Sequence, residues 1–230
     1  MSRRCTSSVT GRAVLVLVWS GFAGMLLAEE ELAPIKLELP KPAFIGTPKA
    51  IPAGTTVKKP TGKPREPFMA PKDVKLLSLN KPVTCSDKEP IIGEAKMVTD
   101  GDKEAGGGSY METGPGLQWV QVDLEDRYEI YAVIAWLYHG DPRVYHDVVV
   151  QVADDADFIT NVKTLFNNDQ DNSSGLGIGQ DFEYFELYEG NLVEAKGAKA
   201  RYVRVYSKGS TSDEMNRFTE VEVWGRPIKK

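Results

Sequence analysis

Residues 75–227 are predicted to form an all-β domain, an antiparallel β-sandwich or jelly roll. After residue 74 the chain consists of short segments in which apolar and polar residues alternate, and clusters of Gly, Asn and Asp separate these segments. No helical period of useful length accompanies them. Successive side chains of a strand point to opposite faces, so this alternation is typical of half-buried strands. Several antiparallel strands with edges to hide then imply two packed sheets.

The individual strands are predicted from the positions of their apolar residues. In 119–124, Val120, Val122 and Leu124 fall on one face, which we expect to be buried. The stretch 130–138 is almost continuously apolar, as expected of a strand that is covered on both faces. The same alternation, with valines inward, recurs in 147–152, 202–206 and 220–224.

Residues 1–28 have the pattern of a secretory signal peptide. A basic start is followed by an apolar stretch, 13–27, and then by the small residue Ala28. Polar and glycine residues interrupt the apolar stretch and no basic stop-transfer sequence follows it, which argues against stable membrane insertion. We therefore expect an exported protein that is secreted, periplasmic or on the cell surface. A leader that is kept as an anchor is the alternative.

Residues 29–74 are predicted to form a disordered linker rich in proline and lysine. Nine of the 14 prolines of the chain fall between Pro34 and Pro71, and no hydrophobic period survives them. Polyproline II structure or disorder is the physical expectation for such a segment. It would act as a solvated tether or as a spacer that holds the domain away from a surface.

Charge is distributed unevenly along the chain. Residues 29–72 carry eight Lys/Arg against five Asp/Glu, whereas residues 73–230 carry 17 against 28, a net charge of −11. A domain this acidic argues against nucleic acid and anionic membrane as primary partners. It suits a bound cation or a neutral ligand such as a sugar.

Five phrases of the domain resemble one known family. They match, in the same order, the characteristic phrases of the discoidin, or coagulation factor V/VIII type C, domain family, whose fold is the galactose-binding-like β-sandwich and whose relatives include carbohydrate-binding modules. The resemblance implies a binding domain. It departs from the family pattern at Tyr110, the aromatic residue nearest to a missing tryptophan, and in the longer loop 167–180. The phrases are 80–86 (NKPVTCS), 98–102 (VTDGD), 118–124 (QWVQVDL), 200–204 (ARYVR) and 220–225 (EVEVWG).

The resemblance also implies a structural calcium ion, with Asp100, Asp102 and Glu220 as its side-chain ligands. Calcium takes six to eight hard oxygens, and a tight Asp-Gly-Asp turn aims carboxylates and carbonyls at one centre. An ordinary Asp-Gly turn with solvated carboxylates is the alternative. A second acidic loop, 167–175, has carboxylates at alternating positions, but a plain polar loop is the favoured interpretation there because it lacks the closing Glu of an EF-hand.

The segment that follows the apolar strand 130–138 is the candidate ligand-binding loop. Sugar recognition needs an aromatic face for the ring and planar polar groups for paired hydroxyls, and this loop offers both. In the alternative interpretation the tyrosines cap the sandwich, Arg143 pairs with Asp141 and the histidines bond to the backbone. Trp136 is interpreted as a core residue. The candidate ligand-binding residues are Tyr138, His139, Asp141, Arg143, Tyr145 and His146.

Catalytic motifs are absent from the sequence. It contains no G-x-S-x-G elbow, no His-Glu-x-x-His and no paired-cysteine metal site, and no pair of carboxylates is singled out for glycosidic cleavage. We therefore expect a non-catalytic module that binds carbohydrate, such as a cell-envelope glycan. Two alternatives are open: a structural or protein-interaction domain of the cell envelope, and a polysaccharide hydrolase or lyase.

Overall fold

Two long strands organise the fold of this protein in the computed structural model, which describes residues 30–44, 46, 48 and 50–229. They pair with each other along most of their length, and from Glu31 onward the chain forms one unit. The predicted leader, 1–28, lies outside the described residues. The strands are β1 (Leu32–Pro34), β2 (Met69–Pro71), β3 (Lys75–Leu76), β4 (Val83–Cys85), β5 (Met111–Thr113), β6 (Gln118–Leu137), β7 (Val149–Ala153), β8 (Lys163–Asn167), β9 (Asn191–Ser207) and β10 (Asn216–Pro227), and one 3₁₀ turn spans Ala95–Thr99.

Each of the two long strands, β6 and β9, contributes to both layers of a sandwich. Their antiparallel register is interrupted between Asp123 and Tyr128, and Glu125 within that gap has a positive φ of 68°. Such an irregularity bends a strand. The first half of β6 pairs with β4 and the second half with β10, while β7 joins the second half of β9. The predicted antiparallel β-sandwich is confirmed.

The core between the layers contains the residues that the alternation placed inward. Val120, Val122 and Leu124 are buried, and the inward valines of the other predicted strands are buried with them. Strand β6 is covered on both faces after the bend, as predicted. Val133, Ala135 and Leu137 lie in the central core, whereas the alternate residues Ile134 and Trp136 lie in a second apolar cluster. These strands could be recognised from the sequence because period-two burial leaves a local signal.

Several described parts of the segment 29–74 pack against the sandwich, whereas the sequence predicted a disordered linker. β1 pairs with β2, and Ile35 and Phe68 pack against a second apolar cluster that contains Trp136 and Trp224 on the outer face of one layer. Arg65 donates hydrogen bonds to the carbonyls of Gly190 and Glu189 at 2.9 and 3.0 Å. The prolines erase any periodic pattern, but scattered apolar residues still cover an apolar sheet face.

Helices contribute little to the part of the chain that is described. No helix there has the length and apolarity needed to cross a bilayer.

Candidate functional site

The loop that joins β6 to β7, residues 138–148, pairs with the loop that joins β9 to β10, residues 208–215. The amide of His146 donates to the carbonyl of Gly209 at 3.0 Å, and the amide of Thr211 donates to the carbonyl of Val144 at 2.8 Å. Backbone hydrogen bonds therefore hold the predicted ligand loop in place. A second loop, far away in sequence, becomes its neighbour at this end of the sandwich.

Arg143 is the centre of the charged groups in this region. Its Nε and Nη2 donate to the two carboxylate oxygens of Asp141 at 2.7 and 2.6 Å, and its Nη1 lies 3.7 Å from Asp213 Oδ2. Burial opposes the charged form of Arg143, but Asp141, Tyr145 and Asp213 raise its pKa above the ordinary value. The hydrogen bond from Arg143 lowers the pKa of Asp141. Both side chains of the pair are therefore charged at neutral pH, and the guanidinium has a fixed orientation.

Arg217 extends the line of paired charges. It lies on β10 directly across from Glu112 of β5, to which its Nε donates, and its Nη1 donates to both carboxylate oxygens of Asp213 at 2.9 Å. Asp213 thus joins Arg143 to Arg217. Sequence reasoning missed Glu112, Asp213 and Arg217, because their proximity depends on the register between strands about a hundred residues apart.

Two tyrosine rings lie beside this line of charges. The ring of Tyr138 is 5.0 Å from that of Tyr110 at an interplanar angle of 63°, and the Arg143 guanidinium is 4.9 Å from the Tyr138 ring. A Cβ at Gly140 would lie 2.2 Å from the Tyr138 hydroxyl oxygen, so a side chain at this position would displace the Tyr138 ring. The half-exposed groups in this region and the two arginines that hold them form what we call the tyrosine–arginine surface. Its residues are Tyr110, Tyr138, Asp141, Arg143, Asp213 and Arg217.

His139 and Tyr145 are buried, at 0% and 1% exposure, and Arg143 is 5% exposed. A ligand in solvent therefore cannot reach His139 or Tyr145. Their prediction as direct ligand contacts is corrected, and both side chains have a structural role. His139 Nε2 lies 2.8 Å from the Lys103 carbonyl oxygen, and burial lowers its pKa. Burial likewise raises the pKa of Tyr145. The backbone of this loop turns both rings inward, while Tyr138 and Asp141 stay half-exposed.

His146 is half-exposed and faces away from the paired charges toward the N-terminal segment. Its Nδ1 lies 2.9 Å from Glu183 Oε1, which raises the pKa of His146. The other oxygen of Glu183 accepts a hydrogen bond from the Thr56 amide at 2.6 Å. The structure therefore separates His146 from the tyrosine–arginine surface and connects it to residues that the sequence assigned to a linker.

The predicted calcium ligands are brought together in part. Glu220 is fully buried, its Oε2 accepts a hydrogen bond from the Gly101 amide at 3.2 Å, and its Oε1 has no partner among the described residues. Burial raises the pKa of Glu220 to about 9, with Glu222 and Asp100 adding to the effect. A buried, unpartnered carboxylate oxygen next to a second carboxylate fits a hard cation. The carboxylates of Asp100 and Asp102 each accept one backbone amide of the local turn, from Asp102 at 2.9 Å and from Glu104 at 3.0 Å.

The second acidic loop brings three carboxylates together. Oxygens of Asp147, Asp169 and Asp171 lie within 4.8 Å of one another. Asp169 accepts the amides of Ser173 and Ser174 at 3.0 and 2.8 Å, and Lys208 Nζ lies 3.5 Å from Asp147. Internal donors already serve these carboxylates, as expected of a polar loop.

The described residues thus define an antiparallel β-sandwich with tyrosines and paired charges on the loops at one end. No protein-family model matches the chain, and no curated protein matches it. Solved structures do. The carbohydrate-binding module (CBM32) of AlyQ, in complex with 4,5-unsaturated mannuronic acid, is 20% identical with a TM-score of 0.45, and the match covers 65% of this chain and 97% of that one.

Two further structures are similar to the same extent. Chitosan-binding module 1 from a chitosanase/glucanase of Paenibacillus sp. IK-5 is 22% identical, with a TM-score of 0.47 and coverage of 66% and 99% of the two chains. A fucose-binding module of Streptococcus pneumoniae is 17% identical, with a TM-score of 0.47 and coverage of 68% and 99%.

Proposed function

We propose that this domain is a non-catalytic carbohydrate-binding module that recognises its glycan through the tyrosine–arginine surface. The observation that carries the proposal is the position of Tyr138, whose half-exposed ring contacts both the Tyr110 ring and the Arg143 guanidinium. A half-exposed aromatic ring can cover the apolar face of a pyranose. These two contacts hold that ring in place before any ligand arrives.

The carboxylates of the surface supply the polar half of the recognition. Asp141 and Asp213 side chains are 46% and 38% exposed, whereas the arginines that hold them are largely buried. A carboxylate has about four acceptor sites, so oxygens already bonded to an arginine can still accept sugar hydroxyls. Arg143 and Arg217 are positioning residues that fix the direction of these acceptors.

The same ion pairs support a binding role rather than catalysis. A glycosidase needs one carboxylic acid that holds its proton near neutral pH. Arg143 lowers the pKa of Asp141, which is the opposite shift. Glu186 and Glu220 have raised pKa values but are fully buried, so neither reaches a substrate in solvent.

Calcium and export belong to the same proposal. Glu220, with the Asp100 carboxylate and the carbonyls of the 98–105 turn, would hold a calcium ion that neutralises buried charge and fixes this turn. The leader-like segment 1–28 supports export, and the glycan would then be outside the cytoplasm, on a cell envelope or in a matrix. A single exposed site should bind its glycan weakly. Multivalent binding would raise the overall affinity.

The test is glycan binding by wild type and by a matched pair of tyrosine variants. Tyr202 lies 5.0 Å from the Arg201 guanidinium, the same kind of contact as Tyr138 with Arg143, but on strand β9 and not on the loops of the tyrosine–arginine surface. We expect Tyr138→Ala to weaken binding in a glycan array and in calorimetry by roughly tenfold, about the contribution of one aromatic contact. Tyr202→Ala should bind as wild type does. Equal affinities for all three proteins, or no binding to any plant, algal or bacterial polysaccharide, would contradict the proposal.

A further inference from the structure

A cavity separate from the tyrosine–arginine surface lies between the N-terminal segment and the loop that precedes β9. Its volume is about 800 Å³, within the range of small-ligand sites. Residues 42–44 and 46 together with residues from 58 to 65 form one wall, and residues from 180 to 191 form most of the other. Phe44, Phe182 and Tyr188 contribute aromatic surface. The first wall exists only because the N-terminal segment packs on the sandwich.

The carboxylates that line this cavity already have partners within the protein. Asp181 Oδ2 accepts the Asn167 amide at 2.7 Å, and Glu189 Oε1 accepts the Arg65 amide at 3.0 Å. Glu183 is held by His146 and Thr56. The lining acids therefore have much of their hydrogen-bonding capacity occupied before a ligand arrives.

The lysines of the lining are different. Lys58 Nζ lies 4.4 Å from the centre of the Phe182 ring, and within the described part of the chain neither Lys58 nor Lys63 forms an ion pair. Phe182 itself is 49% exposed. The cavity therefore offers two lysines without an ion pair and a half-exposed aromatic ring that one of them already contacts, a combination that fits an anionic group attached to a ring with an apolar face.

The distribution of charge along the chain also favours an anionic ligand in this cavity. The domain from residue 73 onward carries a net charge of −11 and repels a polyanion, while residues 29–72 carry +3. An acidic polymer would consequently approach at the basic wall of this cavity.

We propose that the cavity is a second sugar site that takes a uronate residue of an acidic polysaccharide, with the pyranose ring on Phe182 and its carboxylate at Lys58 and Lys63. This inference rests on the proposed carbohydrate-binding function and gives it a substrate class. The two sites together would let one domain hold a chain at two places.

The test compares a uronate oligosaccharide with its carboxyl-reduced, neutral form by calorimetry. Wild type should bind the acidic form more tightly, and the double variant Lys58→Gln/Lys63→Gln should lose roughly tenfold in affinity for the acidic form alone, as two partly exposed charge contacts would give. Lys59→Gln is the matched control, because Lys59 is exposed and adjacent but does not line the cavity. Phe182→Ala should weaken both forms, and Ile178→Ala, at an exposed position outside the cavity, neither.

The outcomes separate this inference from the function on which it rests. Equal affinity for the acidic and reduced forms overturns the inference, and so does an equal loss in Lys59→Gln, which would mean unspecific attraction. Loss of uronate binding in Tyr138→Ala with no effect of the lysine variants places the ligand on the tyrosine–arginine surface and also overturns it, while the proposed function stands. If neither form binds and neutral glycans do not bind either, both proposals fail. Thermal melts of each variant establish that it is folded.

Discussion

Asp141 and Arg143 meet through two parallel hydrogen bonds of 2.7 and 2.6 Å, and the guanidinium that makes them also faces the ring of Tyr138. One side chain thereby orients an acceptor and an aromatic surface at the same time. A lysine has the same charge but lacks the planar fork that makes both contacts possible.

Arg143→Lys should therefore lower both stability and glycan affinity. We expect a loss of about 2 kcal/mol in the free energy of unfolding, since a bidentate charged pair is lost at a buried position. Arg201→Lys is the control: Arg201 makes the same fork to Asp123 at 2.7 and 2.8 Å, but its side chain is 38% exposed. It should lose less stability in urea titrations and no affinity in calorimetry. If the two variants bind glycan equally well, the orienting role of Arg143 is wrong.

Glu186 should make the stability of the protein fall as pH rises. It is fully buried, and burial raises its pKa well above the ordinary value of 4.5. Above pH 4.5 the unfolded chain releases this proton while the folded protein keeps it, so the folded state binds more protons and loses stability with increasing pH. For one proton the slope reaches about 1.4 kcal/mol per pH unit.

Glu186→Gln should remove that part of the pH dependence of stability. The stability of the variant relative to wild type should therefore be higher at pH 8 than at pH 5. The measurement is the free energy of unfolding from urea titrations between pH 5 and 8. Glu194→Gln, at an exposed position of β9, serves as the control and should leave the slope unchanged. An unchanged slope in Glu186→Gln would mean that the buried carboxyl is solvated in solution.

Calcium binding at Glu220 predicts a melting temperature that depends on the metal. Chelator should lower the melting temperature of wild type and added calcium should restore it, because a ligand that binds only the folded state stabilises it by mass action. The shift corresponds to about 2.7 kcal/mol when calcium is at 100 times its dissociation constant. Glu220→Gln should lose this response, whereas Asp171→Asn, in the other acidic loop, should keep it. A calcium response that survives in Glu220→Gln and vanishes in Asp171→Asn would assign the ion to the second loop instead.

The strands could be predicted from the sequence because their signal is local. Val120, Val122 and Leu124 report their burial through spacing alone, and the same holds for the valines of β7, β9 and β10. The resemblance then located the Gly101 turn next to Glu220, a pair separated by 119 residues. Local periodicity contains no such information.

Only part of the tyrosine–arginine surface could be predicted from the sequence. Tyr138 and Asp141 belong to one short loop, and their chemistry is visible in its residues. Asp213 joins them through the backbone pairing of the loops 138–148 and 208–215, and Arg217 meets Glu112 through the pairing of β10 with β5. Nothing in the local sequence indicates either contact. Burial of His139 and Tyr145 was missed for a related reason, since residues of an irregular loop have no fixed period from which an inward direction can be read.

The last prediction concerns the N-terminal segment. The sequence favoured a solvated tether, whereas in the structure this segment covers Trp136. Phe68 packs in the cluster of Trp136 and Trp224, and the Trp136 indole donates to the Tyr188 carbonyl at 2.9 Å. Phe68→Ala should therefore cost about 1–3 kcal/mol in the free energy of unfolding, the range for truncating a partly buried aromatic side chain. It should also shift tryptophan fluorescence to longer wavelength, since water would reach the indoles. Ile51→Ala, in the same segment at an exposed position, should do neither. A solvated tether would instead leave both measurements unchanged in Phe68→Ala, because no apolar contact would be lost.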